Sequence, residues 1–258
     1  MKSFIHCLAL VGMVFLLGTS CSRQTRETSQ VATDQISIGI RDSLYSEILE
    51  EQRELLIYVP EALDGSTRYP VLFLLDGEYQ FETVKGILWY NAICNLVPEM
   101  VLVGIPNTDR FRDLTTTHVG EASNPSGGGE DFLEFIEQEL IPHVEGKYPV
   151  TPHRTFFGHS LGGLMVVHTL MTRPHLFDNY LAIDPSLSWG EEALMKEARL
   201  KVGTADWEGK SLYIAVANTL RDEMTVEEAL EDSTTNTLHL RCIFEFSKLA
   251  ETNAPLNF

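Results

Sequence analysis

Residues 154–171 read RTFFGHSLGGLMVVHTLM. Arg154-Thr155-Phe156-Phe157 has the makeup of a short buried strand, and the run from Leu161 to Met171 places Leu164, Val167 and Met171 at helical spacing. Between the two lies Gly158-His159-Ser160-Leu161-Gly162, the pattern G-x-S-x-G. At a strand-to-helix junction this pattern forms a strained turn that lifts the serine Oγ above the end of a sheet. Gly158 and Gly162 are needed because the turn leaves no room for a Cβ against the neighbouring strand and helix, and Gly163 extends the allowance. The bare pattern is weak evidence. Its position at the junction makes Ser160 a candidate nucleophile.

Working outward, the chain alternates strand-like and helix-like stretches. PVLFLLD (70–76) and EMVLVGI (99–105) are nearly unbroken apolar runs, which fit strands buried on both faces of a parallel sheet. Residues 80–97 are long enough for the crossover helix between them. DQISIGI, then DSLYSEIL and ELLIYVP around the polar EEQR, suggest antiparallel strands at one edge. In GGGEDFLEFIEQELIPHV, Phe132, Leu133, Ile136 and Leu140 recur at helical spacing, with Pro142 expected to end that helix. YLAID (180–184) and SLYIAVA (211–217) read as further strands, with a polar helix near 190–200 and a last helix over 226–251. Such alternation predicts an α/β class, with an open, mostly parallel sheet and helices on both faces.

The termini and composition bound the setting. Residues 1–21 contain Lys2, an apolar stretch from Leu8 to Leu17 and small residues before Cys21, which reads as a secretion signal of lipoprotein type with Cys21 as the lipidated residue. Residues 22–34 are polar and read as a tether, leaving 35–258 as one domain. The expected location is periplasmic or anchored to the outer membrane of a Gram-negative bacterium, or secreted. With 19 basic against 37 acidic residues and no basic stripe, a nucleic-acid partner is excluded, and membrane contact reduces to the anchor. Cys94 and Cys242 read as two buried free thiols, and no zinc pattern is present. SNPSGGG (123–129) lacks the Lys-Ser/Thr of a phosphate loop, which argues against a nucleotide.

A serine nucleophile needs donors for the oxyanion that forms when it attacks a carbonyl. One is the Leu161 N–H at the turn; the second is expected from LFLLDGEYQF, where Gly77 lets the backbone turn so that the Gly77 or Glu78 N–H faces the site. Arg110 and Arg112 could orient a polar or acidic substrate, or could pair with Asp113 to hold a long loop. Trp189 could wall an acyl pocket or sit in the core, and His159 neighbours the nucleophile as a substrate contact.

LLDGEYQF, NTDRFRDLTTTHV, GHSLGG and DPSLSW together resemble the esterase family that contains esterase D and the enterochelin esterases, with similarity from about Tyr45 onward. The resemblance implies an α/β-hydrolase fold, carboxylic-ester hydrolysis, and neither metal nor cofactor. Substrates in the family include siderophore trilactones, acyl groups on polysaccharides and small thioesters. One departure is Asp184, where family members often carry serine.

In this fold the order is serine, then acid, then histidine. Asp222, Glu223 and Asp232 are the acid candidates after SLYIAVA, with Asp184 behind them. The base is harder to find. His239 is the one histidine downstream and reads as the middle of a helix, while the histidines at 118, 143, 153, 168 and 175 precede the acid. The expectation is that the sequence stops before a last strand and its histidine loop, with Asn257-Phe258 opening that strand. A serine esterase is the first reading. The rival is a binding lipoprotein that keeps the hydrolase sheet and holds a ligand above it.

Overall fold

A computed structural model describes residues 37–61, 66–120, 125–218, 220 and 224–253. The leader with Cys21, the tether, Asp222, Glu223 and Asn257-Phe258 lie outside the described residues.

The two apolar runs form β3 (Tyr69–Leu75) and β4 (Val101–Ile105), paired in parallel from Val71 against Val101 to Leu75 against Ile105. Alternate residues of β3 feed two cores. Val71, Phe73 and Leu75 join the larger one, while Leu72 and Leu74 meet Phe81 and Val84 of α1 (Gly77–Ile93) on the opposite face. Burial on both faces removes polar alternation from the sequence, and each such side chain contributes about 1.5–3 kcal/mol.

Around this pair the sheet has the order β1-β2-β4-β3-β5-β6-β7. β1 (Ile40–Ser46) and β2 (Glu51–Tyr58) form the antiparallel edge, β2 runs antiparallel to β4, and the pairings of β3 with β4, β3 with β5 (Val150–His159), β5 with β6 (Asn179–Ile183) and β6 with β7 (Ser211–Ala215) are parallel. The helices following β4 are α2 (Arg110–Leu114), α3 (Gly129–Phe135), α4 (Ile141–Lys147), α5 (Leu161–Thr172), α6 (Trp189–Lys201), α7 (Val226–Glu231) and α8 (Leu238–Asn253). This is an α/β-hydrolase arrangement, with the candidate nucleophile between β5 and α5.

Several expectations are corrected. Of residues 37–40, the described part of DQISIGI, Ile40 alone lies in a strand, and Glu51, Gln52 and Arg53 of the polar EEQR lie within β2, the turn being at 47–50. Arg53 tolerates a strand position that is 1% exposed because Asp113 and Glu51 accept from its guanidinium at 2.6 and 2.8 Å, and the rings of Phe132 and Phe135 lie beside it. Pro142 does not end its helix. A π-turn at Ile136–Leu140 joins α3 to α4, and Pro142 sits in the first turn of α4, where a missing N–H costs little. α5 is buried on all sides from Leu161 to Leu170, not along one stripe. The expected last helix is two helices, interrupted at Asp232, whose carboxylate accepts from Thr234 and Thr237. Cys94 is exposed; Cys242 is buried, unpaired, and its thiol is pushed up to about 11 by burial.

β1 is pinned to the rest of the domain by Asp42. Burial opposes its ionisation, but Lys147, His143 and Tyr148 all reach its carboxylate, the last two at 2.8 and 2.7 Å, and hold it well below the usual carboxylate range. A depressed folded pKa gives stability that is complete above the unfolded value and is lost as the pH falls below it. Asp42→Asn is therefore expected to lower the urea midpoint at pH 7, with the difference from the unaltered protein shrinking as the pH drops below about 4. A difference independent of pH would mean that Asp42 acts through packing alone.

Candidate active site

The elbow is built as its glycines require. A Cβ on Gly158 would lie 2.2 Å from the Gly162 carbonyl oxygen, one on Gly162 would lie 3.3 Å from Leu75 Cβ and Asp76 Oδ2, and one on Gly163 would lie 2.9 Å from Pro185 Cα. Ser160 takes φ 58° and ψ −115°, a strained conformation for a residue with a side chain. The turn is clamped from β6 and the segment after it. The Ser160 N–H donates to the Ile183 carbonyl at 3.0 Å, and the Ser160 carbonyl accepts from Leu164 at 2.9 Å and Ser186 at 3.0 Å. Ser160 Oγ lies 3.2 Å from Ser186 Oγ and is half-buried at the C-terminal end of the strands. Its neighbour Leu161 opens α5, so the Leu161 N–H has no acceptor within the helix.

The loop after β3 differs in detail from its sequence reading. Asp76, not Gly77, takes the left-handed conformation, at φ 53°. Gly77 is needed for space, because a Cβ there would stand 2.7 Å from the Ile105 N. Gly77 and Glu78 form the first residues of α1, with N–H groups free of helix partners, while Tyr79 and Gln80 donate to the Asp76 carbonyl. Asp76 itself is 3% exposed and accepts from Arg110 at 2.6 and 3.0 Å and from Asn107 at 2.7 Å.

The acid and base candidates part company. Asp232 is occupied by the Thr234 hydroxyl, the Thr234 N–H and the Thr237 hydroxyl, which hold it at about 2, so it shapes the turn into α8 and touches no histidine among the described residues. Asp184, the acid ranked behind it, takes φ 47° directly after β6 and accepts from the Ala217 N–H at 3.0 Å. His239 falls in the first turn of α8, not mid-helix, and its Nε2 lies 3.1 Å from Asp184 Oδ1. Among the described residues no histidine is hydrogen-bonded to Ser160 Oγ.

Around the rim, Arg112 takes the structural role. Its guanidinium binds Glu51 at 2.6 and 3.2 Å and Asp113 at 2.7 Å, and those bonds raise its pKa further, so it is not free to orient a substrate. Arg110 is likewise committed, to Asp76 rather than to Asp113, and that bond raises its pKa. Trp189 is half-buried, donates to the Thr117 carbonyl at 3.1 Å and has its ring 5.9 Å from that of Phe111. His159 is exposed beside Ser160. The loop before α3 is pinned by Gly127, Gly128 and Gly129, whose N–H groups donate to Thr115, Arg112 and Thr115. Among the described residues no group of histidine, cysteine and carboxylate side chains is arranged to hold a metal ion.

The family model described as "Putative esterase" matches residues 46–239, most of the folded chain and the whole of this site. The chain belongs to this esterase family. Among relatives, the ferri-bacillibactin esterase BesA of Bacillus subtilis is 33% identical over 170 residues, covering 57% of this chain and 58% of the relative. The siderophore triacetylfusarinine C esterase of Aspergillus fumigatus is 31% identical over 151 residues, covering 54% and 52%. The chain thus spans a little over half the length of these curated relatives. An IroE-like serine hydrolase from Shewanella oneidensis superposes with a TM-score of 0.73 at 32% identity, over 84% of this chain and 72% of that one.

Within this esterase scaffold the sequence reading passed over Asp76, Asn107 and Ser186, and set His239 low. Asp76, Asn107 and Ser186 each lie inside a quoted motif and His239 in none, and nothing in a single sequence shows which side chain of LLDGEYQF or DPSLSW turns toward the serine.

Proposed function

We propose that this family member is a serine carboxylic-ester hydrolase. Ser160 Oγ attacks the ester carbonyl, and the N–H groups of Leu161 and of Gly77 or Glu78 receive the oxyanion. The alcohol leaves with a proton, and water then releases the acid from the acyl-serine. The observation that carries this reading is the Ser160 backbone, strained at φ 58° and ψ −115° between β5 and α5. Strain of that kind costs stability and persists at sites of function.

The base in this reading is a histidine on a further strand that pairs with β7. It is supported by the apolar row Leu74, Phe157, Leu181 and Tyr213, adjacent across the paired strands, which passes from buried to exposed toward β7. A second reading rests on one observation, the approach of His239 to Asp184, one residue beyond the carbonyl that clamps Ser160. In that reading His239 is the base and Asp184 its acid. The substrate class we propose is a small siderophore ester, on the names of the relatives, and the site of action is outside the cytoplasm behind a leader ending at Cys21.

The test compares the present chain with one extended downstream, on a chromogenic acyl ester and on a catecholate trilactone, with products identified by mass. Hydrolysis by the extended chain, with residual activity in the present one, is the expected result. Full activity in the present chain that His239→Gln abolishes would establish the second reading. A trilactone bound tightly and left intact by both would establish the binding rival.

A further inference from the structure

The loops after β3, β4 and β5 meet at one buried carboxylate. Arg110, from the loop after β4, donates to both oxygens of Asp76 and reaches the His159 carbonyl, one residue before the nucleophile, at 3.4 Å. Asn107 bonds Asp76 and also Glu78, through its side chain at 2.8 Å and its N–H at 3.1 Å. On the other side of the carboxylate, Asp76 Oδ2 stands 3.3 Å from where a Gly162 Cβ would be, so it is wedged against the elbow. Asp76 thus touches both segments that carry the oxyanion donors, and Arg110 closes the connection from the strand end.

We propose that Arg110 is a positioning residue for the oxyanion site. Through Asp76 and the His159 carbonyl it fixes the spacing between the Leu161 N–H and the Gly77–Glu78 N–H groups, and it cancels a carboxylate charge that would otherwise oppose a developing oxyanion. The inference rests on the assignment of those N–H groups as donors. Two physical arguments support it. An oxyanion site works because its dipoles are fixed before charge develops, so donors on separate loops need a rigid tie. A buried carboxylate left without its partner is also costly, and here the unbalanced charge would lie beside the reacting oxygen.

The variants are Arg110→Met, which keeps length and removes charge; Arg110→Lys, which keeps charge and loses the planar fork; and the double variant Arg110→Met with Asp76→Asn. On a chromogenic ester, with the extended chain, Arg110→Met is expected to lower kcat by about 10²-fold with KM within about threefold, the size and pattern of a lost transition-state contact. The double variant is expected to recover at least about tenfold, because the uncompensated charge has gone. Amide hydrogen exchange supplies a readout independent of turnover. Exchange should rise in peptides covering 75–81 and 158–164 in Arg110→Met and Arg110→Lys, and stay unchanged over β1 and β2. If Ser160→Ala keeps its activity, the nucleophile assignment fails while the exchange comparison still decides this one. Unaltered exchange at both peptides, or a kcat for Arg110→Met within about threefold of the parent, would overturn the proposal. Should Arg110→Met not fold, Arg110→Lys carries both measurements.

Discussion

Replacing Ser160 with alanine is expected to lower ester turnover by at least about 10⁴-fold, while the melting temperature moves by no more than a few degrees. Both halves follow from the geometry. Among the described residues the side chain makes one polar contact, with Ser186 Oγ at 3.2 Å, so its removal costs about 0.5–1.5 kcal/mol in folding. The backbone bonds to Ile183, Leu164 and Ser186 stay in place and keep the turn. What disappears is the atom that attacks, and the oxyanion donors alone leave only a small rate above water. Initial rates on a chromogenic ester, beside a thermal melt of the same preparation, make the measurement. More than a tenth of the activity surviving would show that Ser160 is not the nucleophile.

Gly158→Ala is expected to be the most damaging small substitution for folding. Its new methyl would sit 2.2 Å from the Gly162 carbonyl oxygen and 2.3 Å from the carbonyl carbon, and no flexible side chain is there to move aside. Backbone must shift in β5 or α5, both buried, at a cost of about 3 kcal/mol or more. Gly86→Ala provides the opposite sign. Gly86 lies inside α1, exposed, with no atom within 4 Å of the place a Cβ would take, so the methyl is expected to stabilise by about 0.5–1 kcal/mol through helix propensity. Urea midpoints of the two variants on one scale check both signs. A Gly158→Ala protein with an unchanged midpoint would mean the elbow is looser than its contacts indicate.

The fold was legible because its signals are local. Apolar runs marked β3 and β4, and glycines at fixed spacing marked the turn between β5 and α5. Where the reading failed, a distant partner overrode a local preference. Arg53 looked like turn material until Asp113, 60 residues away, accepted its charge. Pro142 looked like a stop, but the preceding π-turn lets the helix continue past it. Asp232 looked like an acid facing a base because its loop position was right, yet hydroxyls two and five residues on claim it. Asp76 and Arg110 are separated by 34 residues, and only the sheet order, with β3 between β4 and β5, brings them together. Spacing along a chain carries no record of such meetings.

The bond from Trp189 to the Thr117 carbonyl joins the long loop after α2 to the start of α6. Strand ends and helix starts hold Ser160, Leu161 and Gly77, whereas Thr117 and Trp189 belong to two connections that lean on each other. Drift in one of these connections alone would strand the indole N–H without its acceptor. Exchange of residues 115–120 and 187–192 is therefore expected to be tolerated only as a pair, with Asp184 and Ser186, which meet His239 and Ser160, kept in place.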